Sequence, residues 1–280
     1  MGLNKNAQWA KRKKRLRKKR RLNRRIKAGQ GLPIYRIIPD TNIWYLLGRD
    51  NYVFENVKDN TICPNYVNIT ELSNTGNLVK KEESARNAIR KMLHFQNHAI
   101  FEPPFVHVAQ LINKYTFNIQ DIMNMLRLTS IFAQGDRIDD AKKEEFFNYI
   151  ASYNEGFKEA ATFFNEEAKQ IRQRIKYKKS HRKKDSIQIT AGFINFCVET
   201  STKKQCNIDG IDLKKIELLV LTMDTFFKTM ELSKMNMKPN DWFDLAILAY
   251  VRPGDKFWTE DNRLIQMIKE AGCEHYLYKP

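Results

Sequence analysis

Short apolar runs bounded by Pro, Gly and Asn alternate with stretches of helical period along this chain, which predicts strands feeding helices. Ile34-Tyr35-Arg36-Ile37-Ile38 is a β-rich run that ends at Pro39-Asp40 and predicts a buried strand. Thr61-Ile62-Cys63-Pro64 predicts a second strand, followed by a helix that carries Glu71 and is capped at Asn68 or Thr70. Ala99-Ile100-Phe101, ahead of Pro103-Pro104, is a third strand candidate. Near the C-terminus, Lys256-Phe257-Trp258-Thr259 reads as a strand and residues 262–271 as a helix stopped by Gly272. His275-Tyr276-Leu277-Tyr278 reads as a last strand. The fold class predicted is α/β, a parallel central sheet with helices on both faces.

Between these portions the period changes. Phe146, Ile150, Tyr153, Phe157, Ala161, Phe164, Ala168, Ile171 and Ile175 recur at spacings of four and three, a heptad seam. A helix over its roughly 30 residues is about 45 Å long, locally weakened at Gly156. It is predicted to pack on residues 187–200 as a helical hairpin within an insertion of about residues 105–235. An internal core helix explains the stripe more simply than a dimerising coiled coil, and the oligomeric state is left open.

Charge divides the chain again. Its 280 residues carry 49 Lys and Arg against 32 acids, a net charge of +17. Fourteen of those cations fall within residues 1–30 with no acid among them: Lys5, Lys11, Arg12, Lys13, Lys14, Arg15, Arg17, Lys18, Lys19, Arg20, Arg21, Arg24, Arg25 and Lys27. The remainder is therefore nearly balanced, at +3. Such a polycation neutralises phosphates and releases their counterions, so residues 1–30 are expected to be a flexible nucleic-acid-binding arm ahead of a folded domain over 31–280. A solvated tail or a nuclear-import signal would show the same pattern. A second basic cluster, Lys169, Arg172, Arg174, Lys176, Lys178, Lys179, Arg182, Lys183 and Lys184, has Tyr177 and His181 interleaved. Cations at a helix C-terminus are favoured by its dipole alone, but together with the arm they suggest two phosphate grips.

No run of about 18 apolar residues or signal-peptide core is present, and Trp9, Leu16, Leu22 and Ile26 make a thin stripe for an interfacial helix. The expectation is a soluble intracellular protein without a membrane role, cytoplasmic, with a nuclear location compatible. Cys63, Cys197, Cys206 and Cys273 lack zinc-ligand spacing and are expected to be reduced packing residues. His94, His98, His107, His181 and His275 are scattered, forming no nucleophilic triad, and no glycine-rich phosphate loop occurs.

The chemistry lies in acids placed where elements end. Asp40-Thr41-Asn42 follows the first strand directly, at the end of a sheet where α/β folds bind ligands. Ile38-Pro39-Asp40-Thr41-Asn42-Ile43-Trp44-Tyr45-Leu46-Leu47 resembles the opening of the PIN-domain nuclease family. Three later segments continue the resemblance: Glu71 in Asn68-Ile69-Thr70-Glu71-Leu72, Asp244 in Asp241-Trp242-Phe243-Asp244-Leu245-Ala246-Ile247, and Asp261 in Thr259-Glu260-Asp261-Asn262. The likeness covers roughly residues 34–101 and 238–280 and implies a PIN-like α/β/α fold. It leaves out the arm and the long helical stretch.

The resemblance implies a metal-dependent nuclease with Asp40, Glu71, Asp244 and Asp261 as catalytic, metal-holding acids. Asn42 and Thr259 would orient those acids or a scissile phosphate. Asp241, one turn before Asp244, is either an extra ligand or an ordinary N-terminal helix acid, and Glu260 is expected to point away. Clustered carboxylates repel and need a cation between them, and all-oxygen donors select Mg²⁺ or Mn²⁺. Each acid alone is also explicable as a helix cap or first-turn acid. RNA is favoured over DNA as substrate. A flap-type DNA endonuclease and a noncatalytic RNA-binding or assembly protein are the alternatives, and a protein inhibitor or a second copy of the chain are partners the sequence leaves undetermined.

Overall fold

The strongest apolar runs at the two ends of the folded region meet. In a computed structural model, β1 (Ile37–Pro39) and β2 (Lys256–Trp258) pair in parallel with Ile38 opposite Phe257. The structure describes residues 35–112, 117–135, 183–203, 212–233 and 238–279, with isolated positions between 144 and 170. The chain divides into units 1–35 and 36–280, and every described strand and helix belongs to the second. The basic arm, Cys206 and most of the heptad seam and second basic cluster lie outside the described residues.

The helices are α1 (Thr41–Arg49), α2 (Asn51–Val57), α3 (Tyr66–Ser73), α4 (Asn77–Lys80), α5 (Glu82–His94), α6 (Pro104–Ile112) and α7 (Gln120–Gln134), then α8 (Lys183–Thr202), α9 (Glu217–Ser233), α10 (Pro239–Ala246) and α11 (Asn262–Glu270). The predicted α/β/α fold with a central parallel sheet is therefore corrected: the described chain is mainly helical, with a two-stranded sheet. The other expected strands form only single parallel bridges: Ile62 to Ile37 and Leu277 to Phe257 of the sheet, and Ile100 to Asn65 beside it. Local chemistry explains the truncation. Pro39 and Pro64 have no N–H to give to a ladder. Each run also stops at a helix start, since α1 opens directly after Asp40 and Asn65 caps α3 directly after Pro64. The last apolar run forms a 3₁₀ turn, Glu274–Tyr276, instead of a strand. It follows Gly272, whose φ of +76° suits a residue without Cβ.

Helix α3 begins one turn earlier than the expected caps allow. Asn65 Oδ1 accepts the Asn68 N–H at 3.2 Å and Asn68 Oδ1 accepts the Asn65 N–H at 3.2 Å, a reciprocal capping box. This fixes where the helix that carries Glu71 begins.

The main core joins Ile38 and Phe257 to Phe193 and Cys197 of α8, Met223 and Phe226 of α9, Leu245 of α10 and Ile268 of α11. Helices from the expected insertion thus build the core beneath the strands. A second layer packs α1 on α5, where Trp44 and Phe54 both meet Phe95 at 6.0 and 6.2 Å between ring centroids. Gly48 permits this approach, because a Cβ there would stand 2.8 Å from the Ala88 backbone nitrogen. Helix α7 ends against α5, where Arg86 donates to the carbonyls of Phe132 and Gly135 and Arg90 to that of Ala133, closing carbonyls the helix leaves open. Cys63, Cys197 and Cys273 are buried and form no disulfide among the described residues. Among the described residues no helix is long and apolar enough to cross a membrane.

Candidate metal centre

The parallel pairing puts two acids side by side at the C-terminal ends of the strands. Asp40 follows β1, and its N–H donates to the Trp258 carbonyl at 2.8 Å. It occupies the N-cap position of α1, yet its side chain makes no capping hydrogen bond. Its carboxylate turns instead to Thr259, whose hydroxyl donates to Oδ2 at 2.9 Å, with a long 3.5 Å contact from the Asn42 amide. Asp261 follows β2 and does cap its helix: Oδ1 accepts the N–H groups of Arg263 at 2.7 Å and Leu264 at 3.1 Å. The Thr259 hydroxyl oxygen accepts the Asp261 N–H at 3.0 Å, so one threonine ties both acid-bearing turns together.

Glu71 projects from α3 toward the start of α1, where the Thr41 hydroxyl donates to its Oε2. That hydroxyl in turn accepts from the Asn68 amide at 3.1 Å, and Asn68 also donates to the Pro39 carbonyl at 3.2 Å. Thr41 and Asn68 are therefore part of the site, though sequence reasoning missed them. Thr41 is legible in the sequence only as the middle residue of Asp40-Thr41-Asn42. Asp244 comes from α10 and makes no hydrogen bond or ion pair with any described residue. Asp241 is fully engaged elsewhere, with Oδ2 accepting the Lys238 N–H at 2.8 Å and Oδ1 paired with Arg263 Nη1 at 2.7 Å. Glu260 is exposed and lies 3.8 Å from Arg49.

Electrostatics show that the four acids chosen from the motifs share one neighbourhood. Burial pushes the Asp244 carboxyl up to about 8, and Asp40, Glu71, Asp261 and Asp241 each push the same way. Burial also raises Glu71 to about 7, opposed by the Thr41 hydroxyl and aided by Asp40. Asp40 is raised by burial against the hydrogen bond from Thr259, with Asp261 adding to the rise. These carboxyls hinder one another's ionisation, and among the described residues no cationic side chain is bonded to Asp40, Glu71 or Asp244; their donors are all oxygen, the type a hard divalent cation takes. As they stand, no three His, Cys, Asp or Glu side chains among the described residues converge closely enough to hold an ion. Lys183 and Lys184 open α8, while Lys11 to Arg25, Lys178, Lys179 and Arg182 lie outside the described residues. No family model, curated protein or solved structure matches the chain.

Proposed function

We propose that this chain is a Mg²⁺- or Mn²⁺-dependent nuclease acting on RNA, with Asp40, Glu71, Asp244 and Asp261 holding the metal. One observation carries the reading. Asp244 stands partly buried, bonded to no described residue, and is pushed up to about 8 first by burial and then by the three other acids that the sequence motifs marked. A capping or packing role does not account for an acid without a partner among the described residues whose ionisation three more oppose.

When bound, a divalent cation supplies an activated water and neutralises charge at the phosphate under attack. The chain's own side chains do the positioning. Thr259 holds Asp40 by Oδ2, and Thr41, itself held by Asn68, holds Glu71 by Oε2. The fixed orientation reduces what must be rearranged when a cation and substrate arrive. The arm, with its fourteen cations in thirty residues, supplies sequence-independent attraction to the phosphate backbone. Asp241 is committed to Arg263 and the Lys238 N–H, which favours a four-acid site over the larger acid clusters expected of a flap-type DNA endonuclease.

The test is cleavage of labelled single-stranded RNA, hairpin RNA and flap DNA at fixed salt in Mg²⁺ or Mn²⁺, with EDTA and Asp40→Asn as controls. RNA cutting lost in both controls supports the reading. Cutting of flap DNA alone would move the substrate to DNA, and binding without cutting in either metal would leave a noncatalytic RNA-binding protein.

A further inference from the structure

The side chain of Arg263 joins the two acid-bearing helices α10 and α11. The Arg263 backbone N–H is one of the two that bind Asp261 Oδ1, at 2.7 Å. Its guanidinium reaches α10, where Nη1 meets Asp241 Oδ1 at 2.7 Å. Asp241 in turn anchors the first turn of α10 through the Lys238 N–H at 2.8 Å, and Asp244 lies one turn further along the same helix. The guanidinium also lies over the Phe226 ring of α9, 5.7 Å from its centroid, which limits where it can swing.

Resting on the nuclease reading, we infer that Arg263 is a positioning residue, tying the helix that carries Asp244 to the turn that carries Asp261 and withholding Asp241 from the cation. Its charge works in the opposite direction from its geometry. A cation beside four carboxylates opposes a second cation, so removing the charge alone would tighten metal binding. Removing a tie between the two ligand-bearing segments weakens it. The sign of the change therefore separates the two roles.

The experiment is Mn²⁺ binding to the full chain, followed by electron paramagnetic resonance, for wild type, Arg263→Gln, Arg263→Lys, Asp241→Asn and the double variant Arg263→Gln/Asp241→Asn. Arg263→Gln and Asp241→Asn are each expected to weaken binding about tenfold, the range seen when a group orienting a ligand is lost. Arg263→Lys should restore affinity to within about threefold, and the double variant should be no weaker than the weaker single, because both changes remove one interaction. Unchanged or tighter binding by Arg263→Gln overturns the inference. Multiplied losses in the double variant also overturn it, since Asp241 would then act independently. No Mn²⁺ binding by wild type overturns the nuclease reading and this inference with it. Tight wild-type binding unaffected by Arg263→Gln overturns this inference alone.

Discussion

The Thr41 hydroxyl links two helices at the candidate site, since it both donates to Glu71 and accepts from Asn68. Replacing it with valine keeps the shape and removes both bonds. Thr41→Val is expected to lower Mn²⁺ affinity about tenfold, with Thr41→Ser near wild type, by metal titration. Protonation gives a second check. Asp244 is raised from 3.8 to about 8 and Glu71 from 4.5 to about 7, by burial first and then by neighbouring acids. An acid that holds its proton more tightly when folded contributes stability that is complete below its unfolded pKa and is lost as pH rises through the folded one. In EDTA, the melting temperature is therefore expected to fall as pH rises from about 4 to 8, and Mg²⁺ should reverse the fall at the alkaline end. A flat profile with no effect of Mg²⁺ would contradict the coupling of these acids.

Elements show where sequence patterns run out. Asp40 stands out directly after an apolar strand run, while Asp244 and Asp261 are picked out through the resemblance of their segments to the PIN-domain family. Asn68 reads only as a possible cap, because its bond to Thr41 spans 27 residues and leaves no periodic trace. The two paired strands, Ile37–Pro39 and Lys256–Trp258, fall within the apolar runs that predict them, but such a run does not reveal how much of it will pair. Pro64 and the cap at Asn65 end the Thr61 run after one bridge, and the expected sheet becomes a helical assembly around two strands. The close approach of α1 to α5 is likewise invisible in the sequence, since Gly48 reads as a weak helix residue until α5 is beside it. Gly48→Ala is expected to destabilise the protein by about 1 to 3 kcal/mol by denaturant unfolding, because the added methyl meets backbone that cannot step aside.

Across the molecule as a whole, charge and chemistry are divided between segments. The acids sit in the unit from residue 36 onward, while fourteen cations lie within residues 1–30. A chain lacking residues 1–30 is expected to bind single-stranded RNA more weakly. Its dependence of log affinity on log salt should flatten by about 0.7 for each phosphate that the arm no longer neutralises. Mn²⁺ affinity should stay unchanged, since no acid of the site lies in the deleted segment. An unaltered salt dependence would assign the arm a role other than phosphate binding.

If Asp40, Glu71, Asp244 and Asp261 are held against their mutual repulsion in order to bind a divalent cation, thermal unfolding at pH 8 across a Mn²⁺ titration will register it. Wild type is expected to gain stability saturably with Mn²⁺. Asp244→Asn should melt higher than wild type without metal, because one repelling charge is gone, and should require about tenfold or more Mn²⁺ for the same gain. Equal responses of the two proteins to Mn²⁺, or no response from either, would contradict a metal-holding role for these acids.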